Sequence, residues 1–390
     1  MQLAGRNIEG DGPPSLPQGR RTGLARPWRG ATARRVAGSL LGVALLGCLA
    51  ATLPAYVHAR RPGASTLALS GTVCAQATGK PVAGAQIGMQ GHWTTAGSDG
   101  TYSLTLKPVS RLPLRAAALG YQSTDVVTVY NPDGSPLSGQ ITFSLCGNRG
   151  LVEAFRSGDG AVRLASFQQL QPGTPHTLVV SGTSSVDLES DAALQLPSGN
   201  VVLLALRRHG KAIQIDVPLT AGHGRYLLEI NAAAGFALIK LPLFAGIGYA
   251  PPPAPAPFIP DPPGATTAQL RVTTLNMINH LRTQAGLTPL HTDPLLNGVS
   301  QGHSDDMARH GYIGHAGSNG SLPDQRLQAA SVTYTETAED IGAGDSIQAT
   351  IEGLMDSPAH RWAILGDFRL IGIGIARAHG SLLMTLDFVR

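Results

Sequence analysis

The side chains best suited to chemistry in this chain are two histidines and a glutamate in its last third: His315, Glu339 and His360. His315 closes the run Gly311-Tyr312-Ile313-Gly314-His315, Glu339 lies in Thr337-Ala338-Glu339-Asp340-Ile341-Gly342, and His360 follows Ser357-Pro358-Ala359. Two imidazoles and a carboxylate offer either of two chemistries. They can ligate Zn2+ or another divalent metal, or they can hold and pass a proton near neutral pH. The trio alone assigns no catalysis, because neither a Gly-x-Ser-x-Gly elbow nor a His-Glu-x-x-His helix accompanies it. Ser304 and Ser357 are nucleophiles in name only: Ser304 adjoins a packed histidine, and Ser357 reads as a helix cap.

The elements that must position the trio emerge from periodicity and punctuation. Val272, Leu275, Ile278 and Leu281 recur at helical spacing, and Gly286 supplies a stop. Asp293-Pro294 starts a second helix, with Asp as N-cap and Pro at its first position, running to His310 before Gly311. Its inward stripe is Leu296, Val299, His303 and Met307, so His303 reads as a packed, hydrogen-bonded histidine and His315 falls in the Gly-rich loop beyond. Ser346 to Met355 is a further short helix. Ser357 caps the next one and puts His360 in its first turn, where the helix dipole favours a neutral imidazole. Residues 370–376 and 382–389 read as two closing strands, joined by the turn Ala378-His379-Gly380-Ser381 with His379 in solvent.

This ordered set resembles the CAP superfamily of cysteine-rich secretory, antigen-five and pathogenesis-related proteins, and within it the cysteine-free bacterial branch. The resemblance covers residues 265–390 and rests on five motifs: Leu275-Asn276-Met277-Ile278-Asn279-His280-Leu281-Arg282, His303-Ser304-Asp305-Asp306-Met307-Ala308, Tyr312-Ile313-Gly314-His315, Ala338-Glu339-Asp340-Ile341 and Ser357-Pro358-Ala359-His360-Arg361. It implies an α/β/α sandwich with a groove between helices and sheet, lined in the family by two histidines and two glutamates. His315, Glu339 and His360 fall at three of those positions. Ser357 stands near the fourth, and Ala338-Glu339-Asp340 replaces the family's Gly-Glu-Asn, setting a second acid beside Glu339. Two imidazoles, one carboxylate and water make a reasonable Zn2+ shell, though three ligands spread over flexible loops would hold the ion weakly. The resemblance also implies lipid or sterol binding, envelope association or cell-surface contact, with no activity common to all relatives.

The rest of the 390 residues leaves room for two or three further domains. Residues 67–147 alternate as short strands, with a turn at Thr78-Gly79-Lys80-Pro81 and a hairpin signal at Ser98-Asp99-Gly100. The phrases Gly79-Lys80-Pro81-Val82-Ala83-Gly84-Ala85, Asp99-Gly100-Thr101-Tyr102-Ser103-Leu104 and Gly120-Tyr121 resemble the carboxypeptidase regulatory-like domain, a prealbumin-type β-sandwich that serves as a spacer or adhesion module. Cys74 and Cys146, the two cysteines after the leader, are expected to form one disulfide in an exported protein. Residues 148–247 read as a second β-sandwich of no recognisable family, in which Asp216 and Glu229 take the polar phase of their strands and are expected to face solvent. Residues 248–264 are proline-dominated and predict a stiff, extended linker. The fold class is thus two β-sandwiches followed by an α/β/α sandwich.

Charge and the N-terminus bound the partners. Residues 1–35 hold seven arginines against Glu9 and Asp11, a net of +5 in a chain of formal charge +4, so the remainder is near neutral. With aromatics at 5% and no basic stripe, a nucleic-acid partner is excluded. Within residues 1–59, Val36 to Ala59 carries no charged side chain and comes directly after Arg34-Arg35. Three readings fit it: a signal peptide cleaved after Val57-His58-Ala59, a lipoprotein anchored at Cys48, or an uncleaved membrane anchor. All three export the domains C-terminal to the segment. The expected whole is a secreted or surface-tethered protein that binds a small, lipid or envelope ligand in the groove, which the two sandwiches and the linker lift away from the envelope. A metal-assisted hydrolase and a purely structural envelope protein are the alternatives.

Overall fold

The computed structural model describes residues 55–56, 64–165, 176–378 and 380–390. Cys48 and most of the apolar segment 36–59 lie outside these residues, as does His379; Ala55–Tyr56 forms a short strand pairing in parallel with Val129 and Tyr130. Among the described residues no helix is long and apolar enough to cross a membrane.

The first sandwich places Leu67–Thr72 between Thr101–Leu106 and Gly139–Thr142, facing a second sheet built on Gln86–Met89, His92–Thr95, Arg111–Ala117 and Val127–Tyr130. Alternation along Leu67–Thr72 sends Leu67 and Leu69 into a core shared with Ile87, Leu112, Leu114 and Val129. The Asp99-Gly100 hairpin forms as its residues require, with Asp99 Oδ1 accepting from the Thr101 amide at 3.0 Å. Cys74 and Cys146 are joined by a disulfide. The second sandwich begins by pairing Val152–Glu153 back onto Tyr121–Gln122. One of its sheets has the order Val162–Leu164, Thr177–Ser184, Ala212–Pro218, Arg207–His209; the other runs Val201–Ala205, Asp191–Gln195, Gly224–Asn231, Ala237–Ala245. Val180, Ile213, Ile215, Leu228, Ile230 and Leu241 fill the space between them.

The proline-rich segment forms neither helix nor strand, and it is not a free spacer. Prolines lack the amide yet keep the carbonyl, and these carbonyls are the handles by which the segment is held. On one side the Trp93 indole donates to Pro252 O at 3.1 Å, Arg115 to Pro253 O at 3.1 Å and the Gly91 amide to Pro255 O at 2.8 Å. On the other, Gln348 donates to Pro257 O at 3.2 Å, and Asp261 accepts from the Ile347 amide at 2.9 Å. The strap therefore ties the first sandwich to the C-terminal domain. An ion pair between Arg115 and Asp356 joins the same two units directly.

The C-terminal domain is the α/β/α sandwich. Helix α1 (Thr267–Gln284) opens on a Thr266/Gln269 capping box, α2 (Pro294–His310) on Asp293, α4 (Ile347–Met355) on Ser346 and α5 (Pro358–Ile364) on Ser357; α3 (Pro323–Ala329) was not expected from the sequence. The sheet order is His291–Thr292, Leu370–Ala378, Ser381–Val389, Thr337–Gly344. Ile371, Ile373 and Ile375 pack with Leu382, Met384 and Leu386 against α1 and α4 on one face. The opposite face carries Gly372 and Gly374, where any Cβ would fall 2.4 Å from Ser300 Oγ and 2.0 Å from Ser300 O. Those two glycines let α2 lie directly on the strand.

Candidate functional site

Glu339 does not sit on a flexible loop. It belongs to the edge strand Thr337–Gly344, in register with Asp387 of Ser381–Val389. Alternation turns Glu339 and Ile341 toward α2, where Ile341 packs on Met307 and Leu383. The Glu339 side chain is only 2% exposed, so its charge needs partners. His315 Nδ1 donates to Oε1 at 2.8 Å, and Arg326 Nη2 donates to Oε2 at 2.5 Å. Burial pushes this carboxyl upward, but the His315 hydrogen bond and the His315 and Arg326 charges outweigh it and hold the pKa below the usual glutamate range.

The loop bearing His315 is itself fixed. His303 is buried on α2, as its stripe predicts, and its Nε2–H donates to Gly314 O at 2.9 Å. Arg326 Nη1 donates to His315 O at 2.9 Å and to Ser321 O at 2.8 Å, so one guanidinium grips both the backbone and the carboxylate partner of the imidazole. Beneath them lies Asp387, fully buried and accepting from Ser300 Oγ at 2.6 Å. Burial, then the Glu339 charge, pushes its pKa up to about 8, so Asp387 is protonated at neutral pH. Asp340 faces the other side of the strand and is raised well above its ordinary value, first by burial and then by the charges of Glu339 and Glu229.

His360 occupies the first turn of α5, as read from the sequence. Its ring makes no hydrogen bond to a described residue, but it lies near enough to His315 for their charges to interact. Burial first, then the charges of His315 and Lys240, lowers its pKa to about 3, so the imidazole is neutral. The structure thus joins His315 to Glu339 and sets His360 beside them, outside hydrogen-bonding contact. Among the described residues, no three His, Cys, Asp or Glu side chains are set to hold a metal ion. The donor chemistry argues the same way: both Glu339 oxygens are engaged, one of them by a guanidinium whose charge opposes a second cation. The trio does not fit a resident divalent metal.

The middle sandwich supplies residues that sequence reading placed elsewhere. Glu229, expected in solvent, is 1% exposed because α5 packs on the outer face of its sheet. Its Oε1 accepts from Ser357 Oγ at 2.9 Å and from the Ala359 amide at 3.3 Å. Asp216, the other acid on a polar phase, is exposed as expected and pairs with Arg207. Arg361 of α5 donates to Gly199 O at 2.6 Å. The turn Ala232–Phe236 lies on the His315 ring: a Cβ on Gly235, whose φ is +86°, would stand 2.3 Å from His315 Cδ2 and 2.6 Å from Nε2. Two further signals were present in the sequence. Asp387 and Glu229 are each a lone acid within an apolar strand, and such an acid in a core strand marks a buried partner.

Comparison with known families decides what the C-terminal geometry is. Residues 275–388 match the cysteine-rich secretory protein family. This part of the chain is a CAP domain. Residues 68–145 match the carboxypeptidase regulatory-like domain. Comparison with curated proteins gives no match. Among solved structures, an outer surface protein of Borrelia burgdorferi is similar at 20% identity and TM-score 0.30, covering 32% of this chain and 95% of that one. An extracellular protein containing a SCP domain from Bacillus anthracis is similar at 15% identity and TM-score 0.29, covering 59% and 85%. A cysteine-rich secretory protein from Staphylococcus aureus is similar at 11% identity and TM-score 0.27, covering 72% and 84%. Within the CAP domain of this chain, His315, Glu339 and Arg326 form one hydrogen-bonded unit, and His360 flanks it.

Proposed function

We propose that this chain is an exported binding protein, extracellular or held at the cell envelope, whose CAP-domain cleft around His315, Glu339 and His360 takes a small, lipid or envelope-derived ligand. The observation that carries this reading is that both candidate serine hydroxyls and both oxygens of Glu339 are already engaged. Ser304 Oγ donates to Thr385 at 2.9 Å, Ser357 Oγ donates to Glu229 at 2.9 Å, and Glu339 is held at both oxygens. What remains is a pair of imidazoles, one of them oriented by a carboxylate. His315 gives Nδ1–H to Glu339, so in its neutral form Nε2 is an acceptor. His360 is neutral and uncommitted. Such groups orient a ligand, and neither candidate serine stands free beside them as a nucleophile.

Isothermal titration with a fluorescent fatty acid and with soluble peptidoglycan fragments tests the reading, on the full chain and on a His315→Ala/His360→Ala variant. Binding of either probe that is lost in the variant, with the melting temperature kept, is the expected result. Turnover of ester, peptide or glycan substrates that depends on either histidine would replace the reading with an enzyme. Failure of both probes, with stability lost in the variant, would leave the histidines a purely structural role.

A further inference from the structure

We propose that the cleft is composite: Glu189, Asn231 and Glu229 of the middle sandwich form its second wall, and this wall receives a hydrogen-bond-donating head group, an ammonium or a set of hydroxyls. The proposal rests on the binding reading above and says which part of the chain recognises the ligand.

Three observations carry it. The first is contiguity. Asn231 Nδ2 donates to Glu189 Oε2 at 3.3 Å, and Asn231 stands two residues beyond Glu229 on the same strand. Glu189 lies close enough to His315 to interact with its charge, and Glu229 touches Ser357 and Ala359 at the start of the helix bearing His360. The row Glu189, Asn231, Glu229 therefore runs from the neighbourhood of His315 to the start of the helix that bears His360. The second is incompleteness. Glu229 Oε2 and Asn231 Oδ1 are buried and have no hydrogen-bond partner, although their residues are 1% and 6% exposed. A buried acceptor left without a donor costs about 1–3 kcal/mol, so this wall favours a donor that reaches it. The third is polarity. His315 Nε2 and Asn231 Oδ1 are acceptors when the imidazole is neutral, and Glu229 Oε2 is one when its carboxylate, whose pKa burial raises, is ionised. Lys240 acts on Glu229 electrostatically, but its ammonium also faces Asp125 at 3.7 Å. A ligand presenting an ammonium or several hydroxyls meets these acceptors, whereas a carboxylate or phosphate would not.

The wall is rigid where it matters. Leu188 bridges Ala232, the Glu189 amide donates to Asn231 O at 3.1 Å, and the Ala233 amide donates to Asp187 O at 2.9 Å. The turn Ala232–Phe236 narrows access to His315, whose side chain is 18% exposed.

Histidine Cε1–H resonances of the full chain test the proposal. Glucosamine presents an ammonium with hydroxyls, and N-acetylglucosamine presents hydroxyls with a neutral amide in place of the ammonium. The expected result is a saturable shift of the His315 and His360 resonances with at least one sugar at millimolar concentration, while exposed His291 does not respond. A response to glucosamine alone identifies an ammonium, and equal responses identify hydroxyls. Glu229→Gln should weaken binding at least tenfold. Glu189→Gln, at a less buried position, should weaken it in the same direction without threatening the fold. The proposal is overturned if neither sugar moves either histidine, or if both carboxamide variants bind as the wild type does. In that last case, loss of binding on His315→Ala would leave the CAP-cleft reading intact, so the two failures can be told apart.

Discussion

The contact between Gly235 and His315 can be tested by one methyl group. In Gly235→Ala the added Cβ would start 2.3 Å from His315 Cδ2, and ordinary contact begins near 3.4 Å, so the turn and the ring must separate by roughly 1 Å. The backbone adds its own penalty, since φ is +86° and an L-residue there costs about 1–2 kcal/mol. A loss of that size lowers the melting temperature by about 2–4 °C per kcal/mol in a structure of this scale. Gly210→Ala supplies the control: φ there is +58°, and a Cβ would meet nothing within 4 Å, so it carries the strain without the contact. Diethylpyrocarbonate labelling, read histidine by histidine by mass spectrometry, separates the two effects. His315 should react slowly in the wild type relative to exposed His291, and several-fold faster in Gly235→Ala. Gly210→Ala should melt lower while leaving the His315 rate unchanged. If His315 reacts as fast as His291 in the wild type, or equally in both variants, the turn does not cover the imidazole.

Three further outcomes arise from the buried charges. Asp387 has a folded pKa raised from 3.8 to about 8, so its contribution is complete at low pH and is lost as pH rises toward 8; Asp387→Asn should gain on the wild type by at most about 1.4 kcal/mol per pH unit across that window, and parallel pH–stability curves would refute it. His360 is shifted the other way, from 6.5 to about 3, so stability is complete above 6.5 and is lost as pH falls; His360→Gln should flatten that acid limb above pH 4, and an unchanged slope by denaturant titration would count against a buried neutral imidazole. Arg326→Ala leaves Glu339 buried with one partner and should cost about 3–5 kcal/mol, with part restored in the double variant carrying Glu339→Gln; a loss below 1 kcal/mol, measured by urea unfolding, would show that water replaces the guanidinium.

Much of the CAP domain could be read from punctuation. Asp293 and Ser357 cap the helices they were expected to cap, Ser346 caps the helix it was expected to begin, Gly311 ends α2, and His303 faces inward. These signals are local and need no knowledge of the rest of the chain. The strand Thr337–Gly344 escaped because its Ala, Gly and acid residues carry little strand preference; it is held by register with Ser381–Val389, a long-range fact. Arg326 escaped for the same reason, since nothing in Pro323-Asp324-Gln325-Arg326 says that its guanidinium will meet a carboxylate 13 residues later. The strap illustrates a different limit. Its proline content keeps it out of helix and strand, but its binding to Trp93 and Gln348 depends on carbonyls that every sequence has.

Glu229 shows why the middle sandwich matters to the site. A period of two separates the faces of Gly224–Asn231, sending Leu228 and Ile230 into the sandwich core and Leu227 and Glu229 to the outside. Period alone cannot say what covers that outer face, and here α5 does. A carboxylate is favoured at a helix N-terminus, where unsatisfied amides point outward, and Glu229 accepts from one of them while also holding the Ser357 cap. The docking of the middle sandwich and the placing of the turn that carries His360 are therefore one event. A ligand that engages His360 more tightly when the sandwich is docked would, by linkage, strengthen the docking of the sandwich on α5. Domain docking and ligand affinity would then change together in Glu229→Gln, whereas a sandwich that only spaced the CAP domain would leave affinity untouched.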